Sequence, residues 1–133
     1  MNKTIPDLSK AEYGILQALW RDQDGKMSVR EVHDQISETY NWAYSTTKTM
    51  MDRMVKKGLL NRENFHGVFL YKPLVSRPAG LVKLVQFFAD RVLELDYGSV
   101  VSLFARSKSL TPEEIEELSR LLKEQTDDSK GKK

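Results

Sequence analysis

Apolar residues fall at helical spacing through the first part of the chain, give way to alternation, and then return to helical spacing. Ile15, Leu16, Leu19 and Trp20 share one face of a helix predicted over about 9–21. Val29, Val32 and Ile36 do the same over about 28–39. A third helix over about 44–57 carries Thr47, Met50, Met51 and Met54 on one side and ends at Lys56-Lys57-Gly58, with cations in its last turn and glycine after it. Residues 59–63 and 68–72 then read as two strands around Asn64-Phe65-His66-Gly67, a hairpin tip, and Pro73 closes the second strand. Beyond Ser76, Leu81, Leu84, Val85, Phe88, Val92 and Leu95 form another helical stripe, which Asp96-Tyr97-Gly98 interrupts. Val100, Val101, Leu103 and Phe104 mark a short helix. Ile115, Leu118, Leu121 and Leu122 align on a last helix over about 112–125.

Three helix starts are written in full. Ser9-Lys10-Ala11-Glu12, Ser28-Val29-Arg30-Glu31 and Thr111-Pro112-Glu113-Glu114 each place a hydroxyl three residues before a glutamate. That is the capping box, in which the hydroxyl and the carboxylate satisfy amides the helix leaves unpaired. Leu8 with Tyr13, Met27 with Val32, and Leu110 with Ile115 are spaced to staple the three entries.

Helix, helix, helix and hairpin within about 70 residues is the element order of a winged helix-turn-helix. The expected fold is therefore mainly α: three helices and a β-hairpin wing over residues 1–75, a three-helix dimerisation domain over 76–126, and a charged, disordered tail over 127–133. The later helices are few and short for a core of their own, so their apolar face reads as an interface between two copies. Leu81, Leu84, Val85, Phe88, Val92, Phe104, Ile115, Leu118 and Leu122 are its candidate residues. Packing of this face back onto the winged helix of the same chain is the alternative.

Charge sharpens the picture only when it is located. The net charge over 133 residues is +2, but residues 41–72 hold six basic and two acidic side chains. A local basic patch is the footprint of a phosphate-binding surface, though a solvated face without a partner has the same composition. On the third helix, Ser45, Lys48, Thr49, Asp52 and Lys56 lie opposite the methionines, with Thr46 and Arg53 on the flank. Short hydroxyls can meet bases or phosphates, and cations neutralise the DNA backbone. Asp52 would repel phosphates unless held by Lys48 and Lys56, four residues to either side. The methionine side is core.

The absence of cysteine removes thiol chemistry and disulfides. With no apolar run of about 20 residues and no signal peptide, a cytoplasmic location is expected. His33 and His66 lie on different elements and no phosphate-cradling glycine loop occurs, so neither an enzyme, a metal site nor a cofactor is expected. A winged helix that only contacts other proteins, and a repressor with a small-molecule pocket between tail and winged helix, both remain open.

Several segments carry a resemblance. Ser9-x-Ala11-Glu12, Leu19-Trp20, Trp42-x-Tyr44-Ser45-Thr46-Thr47-Lys48-Thr49, Arg53-Met54-Val55-Lys56-Lys57-Gly58-Leu59, Tyr71-Lys72-Pro73-Leu74-Val75 and Leu110-Thr111-x-x-Glu114-Ile115-Glu116-Glu117-Leu118 resemble the penicillinase-repressor family, which includes the BlaI, MecI and CopY repressors. The resemblance spans about residues 7–124. It implies a homodimeric transcriptional repressor that binds palindromic, double-stranded operator DNA, with a membrane sensor protease as a further partner in the antibiotic-resistance branch. By position it assigns DNA contacts to Tyr44, Ser45, Thr46, Lys48 and Thr49, and a phosphate contact to Arg53. In the wing, where the family carries a basic residue beside the tip glycine, the candidates are Arg62 and His66. The cleavage site of the β-lactam branch falls on Leu103-Phe104, with leucine in place of the family's asparagine. The copper-responsive branch's cysteine cluster is missing, and Thr47 stands where the family prefers Val or Ile.

Overall fold

In the computed structural model, which describes residues 6–92 and 94–131 and residues 126–131 by backbone alone, all three capping boxes form. The Glu12 amide donates to Ser9 Oγ at 3.1 Å while the Ser9 amide donates to Glu12 Oε1 at 3.0 Å. Ser28 with Glu31 and Thr111 with Glu114 repeat the exchange. These caps start α1 (Lys10–Arg21), α2 (Val29–Ile36) and the last helix, α6 (Pro112–Gly131). Between them lie α3 (Tyr44–Lys56), β1 (Leu60–Phe65), β2 (Val68–Pro73), α4 (Arg77–Phe87) and α5 (Tyr97–Ser107).

The chain divides into two compact units. Leu8–Ser76 form one, and the described residues from Arg77 onward, with those of Met1–Asp7, form the other. In the first, Ile15, Leu16 and Leu19 of α1, Val32 and Ile36 of α2, and Met51 and Met54 of α3 are buried together with Leu60 and Tyr71 of the strands. This is a three-helix core closed by a hairpin, the winged helix-turn-helix expected from the sequence. β1 and β2 pair antiparallel with Phe65 opposite Val68. His66 and Gly67, with φ of 52° and 85°, make the two-residue turn that matches strand twist. The Gly67 amide donates to Asn64 Oδ1 at 2.9 Å. Met27 adds a single bridge to Tyr71, with amide–carbonyl bonds of 3.0 and 2.8 Å.

In the second unit, Leu81, Val82, Val85 and Ala89 pack with Val100, Val101, Leu110, Leu118, Leu121 and Leu122, all buried. Arg77 grips Glu114 through two hydrogen bonds, Nε to Oε2 at 3.1 Å and Nη2 to Oε1 at 2.6 Å. Four of the proposed interface residues therefore change role: Leu81, Val85, Leu118 and Leu122 fill the protomer's own core, because α4 and α6 turn their stripes toward one another. The broad apolar face of this unit is narrower than the periodicity alone implies.

Two boundaries also move. The stripe predicted to run unbroken to Leu95 leaves α geometry at Phe87, and Phe88–Val92 form a wider, π-type turn. Asp96, read as part of an interruption, is the N-cap of α5, its Oδ1 accepting from the Ser99 amide at 2.8 Å. At the far end, the backbone of α6 runs on to Gly131, through most of the segment expected to be a disordered tail, and residues 132–133 lie outside the described residues. No helix among the described residues is long and apolar enough to cross a membrane.

Candidate nucleic-acid interface

α3 is the second helix of the helix-turn-helix pair, and its two faces differ sharply. Thr47, Met51 and Met54 are buried, whereas Tyr44, Ser45, Thr46, Lys48, Thr49, Arg53 and Lys56 are exposed. Ser45, Thr46, Thr49, Met50 and Arg53 line a shallow depression of about 290 Å³ on the outer face. The side chains expected to contact DNA from this helix are thus brought together on one solvent-facing surface.

Residues outside that set fix where the helix sits. Thr47 Oγ1 lies 2.7 Å from His33 Nδ1 of α2, a bond between a fully buried hydroxyl and a half-buried ring. The same His33 ring meets Tyr44 edge to face, with centroids 5.7 Å apart, and the Arg30 guanidinium lies 4.3 Å over the Tyr44 ring. Tyr44 is therefore held by α2 as well as displayed by α3. Neither His33 nor Arg30 was singled out for this place by spacing, since both contacts join different helices. Trp42 stacks on Tyr40 in the turn between α2 and α3, with ring centroids 5.0 Å apart.

Asp52 sits at the junction of α3 and the wing. Its Oδ2 accepts from Lys48 Nζ at 2.9 Å, and its Oδ1 accepts from Tyr71 Oη at 2.8 Å and from Arg62 Nη1 at 3.3 Å. The expected bracket of Lys48 and Lys56 is corrected here. Lys48 is a partner, but the second cation comes from β1 and the third donor from β2, because the hairpin folds against that side of the helix. Burial alone would raise the Asp52 carboxyl. The hydrogen bonds from Lys48 and Tyr71, and then the charges of Lys48 and Arg62, outweigh it and hold the group below the ordinary carboxylate value. Correspondingly, the bond to Asp52 raises Lys48.

The wing displays apolar and aromatic side chains. Phe65, Val68 and Phe69 are exposed, and His66 at the tip packs edge-on to Phe65 at 4.3 Å between centroids. Arg62 lies 4.6 Å over the Phe69 ring, so its guanidinium is held by that ring as well as by Asp52. Of the two wing candidates, His66 stands at the extremity and Arg62 at the base beside α3.

The remaining apolar candidates fall in the second unit. Leu84, Phe88, Val92 and Leu103 are exposed, together with Phe87 and Leu95, while Phe104 and Ile115 are half-buried. Ile115 also lines a groove of about 740 Å³ with Ala105, Leu110 and Pro112. Among the described residues no three His, Cys, Asp or Glu side chains converge as a metal site would require.

A winged helix-turn-helix whose second helix exposes hydroxyls and cations defines a class of small regulators. Within it, residues 8–124 match the penicillinase repressor family, and the chain belongs to that family. It is 31% identical over 122 residues to the penicillinase repressor of Bacillus licheniformis, covering 92% of this chain and 94% of that protein. The methicillin resistance regulatory protein MecI of Staphylococcus aureus strain N315 is 28% identical over 121 residues, covering 91% and 96%. The solution structure of Bacillus licheniformis BlaI, monomeric and in complex with the blaP half-operator, aligns with a TM-score of 0.49 at 32% identity over 57% of this chain and 90% of that one.

Proposed function

We propose that this protein is a homodimeric transcriptional repressor that reads operator DNA with the outer face of α3 and grips the backbone with the cations around it. The observation that carries the reading is that face: Ser45, Thr46, Thr49 and Arg53 together around one exposed depression, on the helix that a helix-turn-helix lays in the major groove. Thr46 and Thr49 can meet base edges or thymine methyls, while Arg53 meets phosphate. Lys48 and Tyr44 flank them, and His66 and Arg62 extend the contact through the wing. Membership of a family of repressors supports the regulatory role.

The proposed dimerisation rests on the exposed side chains of Leu84, Phe87, Phe88, Val92 and Leu103 in the second unit. Large aromatic and aliphatic side chains left open to water favour a partner surface. A second copy gives the pair two α3 helices for half-sites about one DNA turn apart, or a multiple of it. Relief of repression by a membrane sensor protease at Leu103-Phe104 is the family's mode carried to this chain. That bond lies within α5, so a protease must first open the helix locally.

The test is selection from a random duplex pool followed by fluorescence anisotropy at several salt concentrations. One motif with two-fold symmetry is expected to enrich. Arg53→Ala should then flatten the slope of log affinity against log salt by about 0.9 per lost phosphate contact. Thr46→Ala should narrow the gap between enriched and scrambled duplexes by about 1–3 kcal/mol, the worth of one base-pair readout. Absence of any enriched duplex, with binding indifferent to salt, would assign the fold to protein contacts instead.

A further inference from the structure

The cluster on Asp52 is unexpected on a surface meant for a polyanion. A carboxylate among the cations repels phosphate, and here it also engages two of those cations. Lys48 Nζ lies 2.9 Å from one carboxylate oxygen and Arg62 Nη1 3.3 Å from the other. The same carboxylate is built in rather than free to swing away. It accepts from Tyr71 Oη at 2.8 Å, Tyr71 is itself buried, and the Asp52 side chain is only 29% exposed. Arg62 is further held by the Phe69 ring.

The arrangement rests on the DNA-binding reading above and adds a role to it. We propose that Asp52 is a specificity-determining residue: by holding Lys48 and Arg62 and tying both wing strands to α3, it keeps affinity for arbitrary duplex low. Binding to any sequence is supplied almost wholly by cations meeting phosphates and releasing counterions. A cation paired to a fixed carboxylate contributes less of this term, because it must break or share that pair to reach a phosphate. On the fitting sequence the position of the helix is set by base contacts, and Lys48 and Arg62 then act as groups already oriented at the helix–wing junction. The carboxylate therefore weakens indiscriminate binding more than fitting binding. Asp52 acts through its neighbours as a positioning residue, with both of its oxygens already occupied by protein donors.

The experiment compares wild type, Asp52→Asn, Lys48→Ala and the double variant on the duplex that wild type enriches and on a scrambled duplex of equal length. Each freed cation should steepen the salt slope by about 0.9, equivalent to roughly eightfold tighter binding at ~0.1 M salt. Asp52→Asn should show this gain on the scrambled duplex and a smaller one on the enriched duplex, so the ratio between them falls. Asparagine keeps an oxygen for the Tyr71 hydroxyl, and circular dichroism reports whether the fold is retained. Lys48→Ala should cost the wild type under about twofold on scrambled DNA, yet cost roughly eightfold in the Asp52→Asn background, leaving the share that Arg62 supplies. Unchanged scrambled affinity in a folded Asp52→Asn variant overturns the proposal. So does a full eightfold loss from Lys48→Ala in the wild type, and that arm stands even if the asparagine variant does not fold. A wild type that enriches no duplex would instead overturn the DNA-binding reading itself.

Discussion

Cutting the chain after Leu103 should separate the two units' fates. α6 supplies Leu118, Leu121 and Leu122 to the core of the second unit, and all three are buried within it. At roughly 1.5–3 kcal/mol for each large apolar side chain fully buried, their removal forfeits about 5–9 kcal/mol. That is as large as the whole net stability of a small domain, about 5–15 kcal/mol. Removal of Glu114 also leaves Arg77 without the acceptor of its paired hydrogen bonds. The second unit should therefore unfold, whereas the hydrophobic core of Leu8–Ser76 draws its buried apolar side chains from positions 15 to 71 and keeps them. Two winged helices no longer joined lose the effective concentration that links their half-sites, a factor of ~10²–10⁴ in affinity. A protein of residues 1–103 can be compared with full length by sedimentation, circular dichroism and anisotropy on the enriched duplex. Retained dimerisation with equal affinity would refute the reasoning, because α6 would then matter neither to the unit's core nor to the pairing of copies.

Phe88→Asp, at an exposed position, should yield folded monomers by sedimentation, while Leu118→Asp, at a fully buried one, should lower the helical signal as well. Thr47→Val should lower the unfolding free energy by about 0.5–1.5 kcal/mol in urea titrations, the usual net worth of a hydrogen bond such as that to His33. Acid should destabilise the fold. Glu114 is held low first by its Arg77 bond, and Glu12 is held low although burial opposes it, because Lys57 and Ser9 bond to the carboxylate. A carboxyl lowered by folding contributes stability above its unfolded value, ordinarily 4.5, and loses that contribution as pH falls through the folded value. The thermal midpoint should thus be steady near neutrality and drop below about pH 4.5, with a shallower drop in Glu12→Gln or Glu114→Gln.

What could be read along the chain was whatever folding decides within a few residues. Ser9, Ser28 and Thr111 announce helix starts because hydroxyl and glutamate need only three residues to meet, and all three exchanges form. The two faces of α3 are equally local, since a helix wheel sorts Thr47, Met51 and Met54 from Ser45, Thr46 and Arg53 without reference to anything else. The Asp52 cluster is different. Its partners stand 4, 10 and 19 residues away on three elements, and only the first obeys a spacing rule. The hairpin's closure against α3 brings in the others, as the pairing of α2 with α3 brings in His33.

The apolar stripe beyond Ser76 shows the same division from the other side. Helical spacing states that Leu81, Leu84, Val85 and Phe88 share a face, but one face can be divided between two customers. Leu81 and Val85 go inward against α6, while Leu84 and Phe88, a few residues along the same stripe, remain open to water. The π-type turn at Phe88–Val92 widens the helix there and leaves Val92 exposed beside buried Ala89. Periodicity gives direction, and the amount of surface a neighbour covers decides burial. A unit with only three helices covers one side of each stripe and leaves the other open to water. The residues to mutate in testing the proposed dimerisation are accordingly Leu84, Phe88, Val92 and Leu103, and those to mutate for stability of the unit itself are Leu81, Val85, Leu118 and Leu122.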